Sequence, residues 1–161
     1  MYRMSRSVAV NDDPQQPRLS RADVWQGLVL KADNALPFVP QMTRCEVLER
    51  GDTWLLRDIT VHGEDARERV TLFPEQRVHF ERVAGRTRGT IDNEIVADDG
   101  GELQLRFAFA LEAEGIAPGS PEEKAHFGPT EAAYLNAVDA TLEAIRRVVR
   151  EQGAVSRGGL S

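Results

Sequence analysis

From Thr43 to Glu114 apolar and polar residues alternate with a period of two, in runs at 43–50, 53–61, 66–73, 77–84, 88–97 and 102–114. That period puts successive side chains on opposite faces of a pleated strand. The runs are separated by RGD, HGED, PEQ, AGRT and DDGG. Connections this short join antiparallel neighbours, so these strands form a meander. The clearest run is LQLRFAFAL, where Leu103, Leu105, Phe107, Phe109 and Leu111 share a face and Gln104 and Arg106 lie opposite. A further strand is predicted at 2–10, with Tyr2, Met4, Val8 and Val10 on one side, before the prolines of NDDPQQPR break it.

Helical spacing flanks the meander. Ser20 is placed to cap a helix in LSRADVWQGLVLKAD, with Asp23 closing a weak capping box and Leu19 and Val24 spaced as a staple. Val24, Trp25, Leu28 and Val29 give its apolar stripe. LPFVPQM, with Pro37 and Pro40, is limited to a turn or a short helix. Ser120, Pro121 and Glu123 start one helical turn, interrupted by Gly128 and Pro129. Thr130 is placed to cap a final helix reaching about Gln152, with Gly153 as its stop and a disordered tail over 154–161. Tyr134, Val138, Leu142, Ile145 and Val149 step along one apolar face of that helix. The expectation is one α+β domain over 1–153, in which a sheet covers its apolar face with the long C-terminal helix.

Alternation also sorts the middle strands into inner and outer faces. With Leu103, Leu105, Phe107 and Phe109 inward, same-face pairing sets Ile95 against Leu103 and Asn93 against Leu105. Phe80 then falls near Asn93, with Val78 and Arg82 also inward. Leu72 meets Val78, Val70 meets Phe80 and Glu68 meets Arg82. Across HGED, Ile59 meets Glu68 and Arg57 meets Val70. Four polar side chains, Arg57, Glu68, Arg82 and Asn93, therefore share an otherwise apolar face. An unpaired charge there costs several kcal/mol. Two accounts satisfy them. Glu68 can join both guanidiniums in a network that Asn93 completes. Alternatively, one acid against two arginines leaves positive charge for a ligand's carboxylate, enolate or carbonyl oxygen, in an apolar cavity that Phe80, Phe107 and Tyr134 would help line.

Composition narrows the class. A formal charge of −6 over 161 residues argues against a general nucleic-acid binder. No run approaches the ~20 apolar residues of a membrane span, and MYRMSRSVAV lacks the apolar core of a secretory signal, so a cytoplasmic location is expected. Cys45 is the only cysteine and reads as a small core residue. His62, His79 and His126 are scattered, with His62 in a turn and His79 on the outer face, so no metal site or cofactor is expected. Glu122 and Glu123 read as an exposed connection. Trp25 and Phe38 are candidates for a cavity mouth. No nucleophile elbow, phosphate loop or dinucleotide fingerprint occurs.

Several segments carry a family resemblance. VAVND before LSRADVWQGLVLKADNALPFVP, then LLRDITV, RERVTLFPEQRVHFERVAG, GTIDNEI and ELQLRFAFALE, resemble the AtaL-like group of the START, SRPBCC and birch-pollen-allergen-like superfamily over roughly residues 7–152. The resemblance implies a helix-grip fold, a curved sheet closing on the long helix around a cavity. The group's named member belongs to a fungal secondary-metabolite cluster. Three functions are compatible. The first is binding of a small, mostly hydrophobic ligand through Arg57, Glu68, Phe80, Arg82, Asn93, Phe107 and Tyr134. The second is a cyclase, aromatase or hydratase in which Glu68 and Arg57 would be catalytic. The third is an interaction module with a filled core. Neither the ligand nor the oligomeric state is fixed by any of these residues.

Overall fold

The computed structural model describes residues 1–159. Its elements run β1 (Tyr2–Ala9), α1 (Arg21–Asp33), β2 (Met42–Arg50), β3 (Trp54–Val61), β4 (Glu64–Phe73), β5 (Arg77–Ala84), β6 (Thr87–Ala97), β7 (Leu103–Ala113), α2 (Pro121–Phe127), a 3-10 turn (Gly128–Thr130) and α3 (Glu131–Gly159). One antiparallel sheet has the order β1-β7-β6-β5-β4-β3-β2. The meander thus forms as the alternation predicts, and β1 joins it alongside β7. The sheet is curved, and with α3 it makes the helix-grip arrangement of an α+β fold.

The core lies between the concave sheet face and the two long helices. Leu105, Phe107, Phe109 and Leu111 of β7 meet Val138, Leu142 and Ile145 of α3 and Val24 and Leu28 of α1 in one buried cluster. Burying each of these side chains contributes about 1.5–3 kcal/mol. α1 and α3 approach closely at Gly27, where an added Cβ would lie 2.4 Å from Cγ1 of Ile145. Gly89 of β6 has φ 124°, and a Cβ there would meet the backbone oxygen of Ala110 at 1.9 Å. Only glycine suits both that dihedral and that backbone contact.

Ser20 caps α1, and the reciprocal bonds with Asp23 complete the capping box. The buried stripe of α1 differs from the expected one. It consists of Val24, Gly27, Leu28, Lys31 and Ala32, while Trp25 and Val29 are half-buried. Thr130 does not cap α3 through its side chain; its hydroxyl donates to the Phe127 carbonyl at 3.0 Å, inside the 3-10 turn that carries the chain into α3. α3 also passes through Gly153 and continues to Gly159. A helical glycine costs about 1 kcal/mol without forbidding the turn. Residues 160 and 161 of the expected tail lie outside the described residues. Among the described residues no helix is long and apolar enough to cross a membrane.

Candidate functional site

Three adjacent strands bring the charged residues into one row. Arg57 of β3 is the Cα partner of Glu68 of β4, and Glu68 is in turn the partner of Arg82 of β5. The β4–β5 register is the expected one. The β3–β4 register differs by two residues, because Val61 pairs with Glu64 and Ile59 with Ala66. His62 and Gly63 alone make that turn, with φ of 53° and 76°. Two consecutive positive φ values mark a two-residue type I′ hairpin, tighter than a four-residue HGED loop. The shift brings Glu68 opposite Arg57 instead of diagonal to it. The β5–β6 and β6–β7 registers also move by two: Phe80 meets Ile91, Asn93 meets Val78 and Phe107, and Ile95 meets Leu105. A two-residue shift preserves the face, so the inner set is unchanged.

The two arginines are used differently. Arg57 gives Nε (3.1 Å) and Nη2 (2.9 Å) to Oε1 of Glu68. Its Nη1 donates to the carbonyls of Lys31 (3.0 Å) and Ala32 (2.9 Å). Those carbonyls are among the unpaired acceptors of the last turn of α1, where a cation is also favoured by the helix dipole. Arg82 gives Glu68 only its Nε, at a long 3.4 Å. Among the described residues its terminal amino groups have no hydrogen-bond partner, and the 8% of the residue that is exposed leaves them some accessible surface.

A fifth polar residue enters from the helix. Lys31 is buried on the core face of α1, and its Nζ donates to Oδ1 of Asn93 at 2.6 Å. The ammonium lies 4.4 Å from the ring centroid of Phe107 and 5.2 Å from that of Phe80. The guanidinium of Arg57 also stands over Phe80, 5.2 Å from its centroid. Nδ2 of Asn93 is buried and has no partner among the described residues. The sequence signal for Lys31 existed, since it lies seven residues beyond Val24 and three beyond Leu28 on the stripe. A lysine on an apolar stripe is ordinarily read as a stem reaching solvent. This one points inward.

Protonation follows from this packing. Burial pushes the Lys31 amine down, the charge of Arg57 lowers it further, Glu68 opposes both, and the result is about 7. Burial alone would raise the Glu68 carboxyl, but Arg57 and Arg82, by charge and by hydrogen bonding, hold it below the usual carboxylate range. Burial raises the Tyr134 hydroxyl, so it stays protonated at neutral pH; Glu64 adds to the rise and Arg82 opposes it. The row thus carries one acid against two guanidiniums, with a titratable amine beside them.

These groups floor a cavity of ≈ 70 Å³. One water needs roughly 10–15 Å³ on the same measure, so the space admits several water-sized groups. Lys31, Arg57, Glu68, Arg82 and Asn93 lie at its buried end. Its walls include Phe80, Phe107, Phe109, Ile59 and Ile91, and Tyr134 and Ala137 of α3 close the side. Gln41 and His62, both exposed, reach solvent at the other end. The seven ligand-binding candidates named from the sequence all line this one space. Trp25 and Phe38 do not; Val39 takes the place expected of Phe38.

The remaining candidates are dispersed. His79 pairs with Asp92 at 2.7 Å outside the core, His126 packs on Phe127, and His62 lies 5.8 Å from the Tyr134 ring. Among the described residues no group of three possible metal ligands forms. Cys45 is half-buried against Ile59 and its neighbours. Glu123 is not exposed as expected: it is buried, accepts from the Gly119 amide at 3.1 Å and pairs with the Met1 amino group at 3.3 Å.

A sequence model of the AtaL family, described as acetylaranotin biosynthesis cluster protein L, matches residues 4–152. No curated protein sequence gives a significant match. The fold is similar to that of the Zhui aromatase/cyclase from Streptomyces sp. R1128, at 22% identity and a TM-score of 0.61, covering 91% of this chain and 95% of that one. It is also similar to a START superfamily protein from Mycobacterium smegmatis, at 18% identity and a TM-score of 0.56, covering 88% and 97%. Against BexL, a di-domain aromatase/cyclase of the BE-7585A biosynthetic pathway, identity is 14% and the TM-score 0.58, covering 91% of this chain and 49% of that one. At such identities the likeness is one of fold.

Proposed function

The chain belongs to the AtaL family, and we propose that it binds a small, mostly apolar molecule in the helix-grip cavity. The molecule's anionic or carbonyl end sits against Arg82, Lys31 and Asn93. One observation carries this reading: the buried end of the cavity holds more hydrogen-bond donors than the protein uses. Among the described residues Nδ2 of Asn93 is buried without a partner, and the terminal amino groups of Arg82, which keep some accessible surface, make no hydrogen bond to the protein. A buried donor without a partner is costly, and an acceptor on a ligand would satisfy Asn93 while pairing with the guanidinium of Arg82. Arg57 has a structural part in this reading, because four of its N–H groups are already engaged.

A cyclase or aromatase in the same cavity is the second reading. It has less support. Glu68 is held ionised between two guanidiniums, which suits it to fixing Arg82 in place and not to giving up a proton. An interaction module with a filled core fits poorly with the space beside Arg82.

The test compares butyrate with butan-1-ol, which share a chain and differ in charge. Calorimetric titration is expected to give butyrate binding that weakens at least tenfold in Arg82→Gln, with butan-1-ol unaffected. Equal butyrate binding by the two proteins would sink the reading.

A further inference from the structure

The chain is sparing with lysine. Of its 20 lysines and arginines only Lys31 and Lys124 are lysines. Lys124 is on the exposed face of α2, whereas Lys31 is inside the cavity. The distinction is chemical. A guanidinium stays protonated and serves only as a donor, while an amine can lose its proton and act as a nucleophile. Binding an anion would not call for lysine in a protein that elsewhere uses arginine for positive charge.

Burial and a neighbouring cation favour the free amine, while the ring faces and Asn93 hold it in place. Nζ is packed against the rings of Phe107 and Phe80, faces Oδ1 of Asn93, and has Arg57 of β3 close enough to hold the carbonyl of Lys31 itself. Glu68 is the one acid in the row, and both its oxygens are taken by guanidiniums. Burial in apolar surroundings next to a second cation is the usual way a lysine is prepared for addition to a carbonyl. In agreement, the amine is pulled down to about 7.

We propose that Lys31 forms an imine with a small oxo acid, an aldehyde or ketone that carries a carboxylate, inside the cavity. The carboxylate part rests on the anion site assigned to Arg82 above. In the addition, the Nζ lone pair forms a bond to the carbonyl carbon as the C=O π pair moves to oxygen. That oxygen takes a proton and the nitrogen gives one up, leaving a carbinolamine. The hydroxyl then leaves with one further proton as water, and the nitrogen lone pair closes the C=N bond. One neutral amine, one carbonyl group and one proton from solvent give one iminium and one water, with no change of oxidation state. The iminium keeps an N–H for Oδ1 of Asn93, and its charge meets the same ring faces as the ammonium did.

The test is reductive trapping of the full chain with pyruvate and sodium borohydride, read by intact mass and peptide mapping. The expected product is heavier by one pyruvic acid less one oxygen, with the label on the peptide that contains Lys31. Lys124→Arg keeps the label. Lys31→Met, checked for folding by circular dichroism, loses it. Acetone in place of pyruvate labels at least tenfold more slowly, and Arg82→Gln cuts the pyruvate-to-acetone rate ratio at least tenfold. No label, or label confined to Met1 and Lys124, overturns the imine, and the wild-type map decides this even if a variant misfolds. If butyrate still binds while pyruvate leaves Lys31 unlabelled, the imine fails and the anion site stands. If Lys31 is labelled equally fast by pyruvate and acetone, the amine stands and the carboxylate contact fails.

Discussion

Lys31 sets a pH dependence that a surface lysine would not. Its amine is lowered from 10.5 to about 7 in the folded chain. Between those values the unfolded chain holds a proton there and the folded chain does not. Stability therefore rises as pH increases from about 7 toward 10.5, and the cost of charging the buried amine is fully present below about 7. That cost is on the order of a few kcal/mol, since each tenfold change in proton affinity corresponds to about 1.4 kcal/mol. Urea unfolding of wild type at pH 7, 8, 9 and 10 should show this gain, and Lys31→Met should flatten it and be the more stable protein at pH 7. A wild-type profile already flat over that range would mean that the amine is hydrated when folded. This residue also marks the limit of what alternation reveals. Strand periodicity assigns Arg57, Glu68, Arg82 and Asn93 inward because a strand has two faces and the apolar one is unambiguous. A helix surface is continuous, and a lysine at the margin of its stripe is compatible with an outward stem.

Arg57 acts at the scale of elements, by joining the end of α1 to the middle of the sheet. Its side chain spans from Glu68 of β4 to the last-turn carbonyls of Lys31 and Ala32. Arg57→Ala removes both attachments and leaves Glu68 buried with one distant guanidinium, so a loss of about 3–5 kcal/mol is expected. Arg82→Gln removes a single long bond and should cost clearly less. Denaturation midpoints at equal slope measure the difference, and hydrogen exchange should localise the Arg57→Ala effect to the last turn of α1. Equal costs for the two variants would contradict this division of roles. The inner face of the meander was legible in the sequence, whereas its registers were only partly so. The β4–β5 register came out as expected, but three others shifted by two residues. Loop length decides register, and HGED does not reveal that His62 accepts a positive φ and closes the turn with Gly63 alone.

Size is a property of the whole molecule, since the cavity is what remains after sheet and helices have packed. The order of elements and their hydrophobic faces predicted that the sheet would close on α3. How much space would be left could not be read, because volume depends on rotamers at many positions at once. Phe80, Phe107 and Phe109 fill most of the interior without closing it. Phe109 stands between the polar floor and the side of the cavity, edge-on to Phe107 at 6.3 Å and to Tyr134 at 5.4 Å. It touches none of the charged row by hydrogen bond, so its removal changes length capacity while leaving the donors in place. Phe109→Ala should cost about 3–5 kcal/mol of stability, as for other buried aromatic truncations. In return the cavity lengthens toward Tyr134, and octanoate should gain at least tenfold in affinity relative to butyrate. Titration of both acids against wild type and variant checks this. An unchanged octanoate-to-butyrate ratio would place the size limit elsewhere, at Phe80 and Phe107, whose rings also support the Lys31 amine. Tail length would then be tied to the charged end of the site, and the cavity could not be enlarged without disturbing its chemistry.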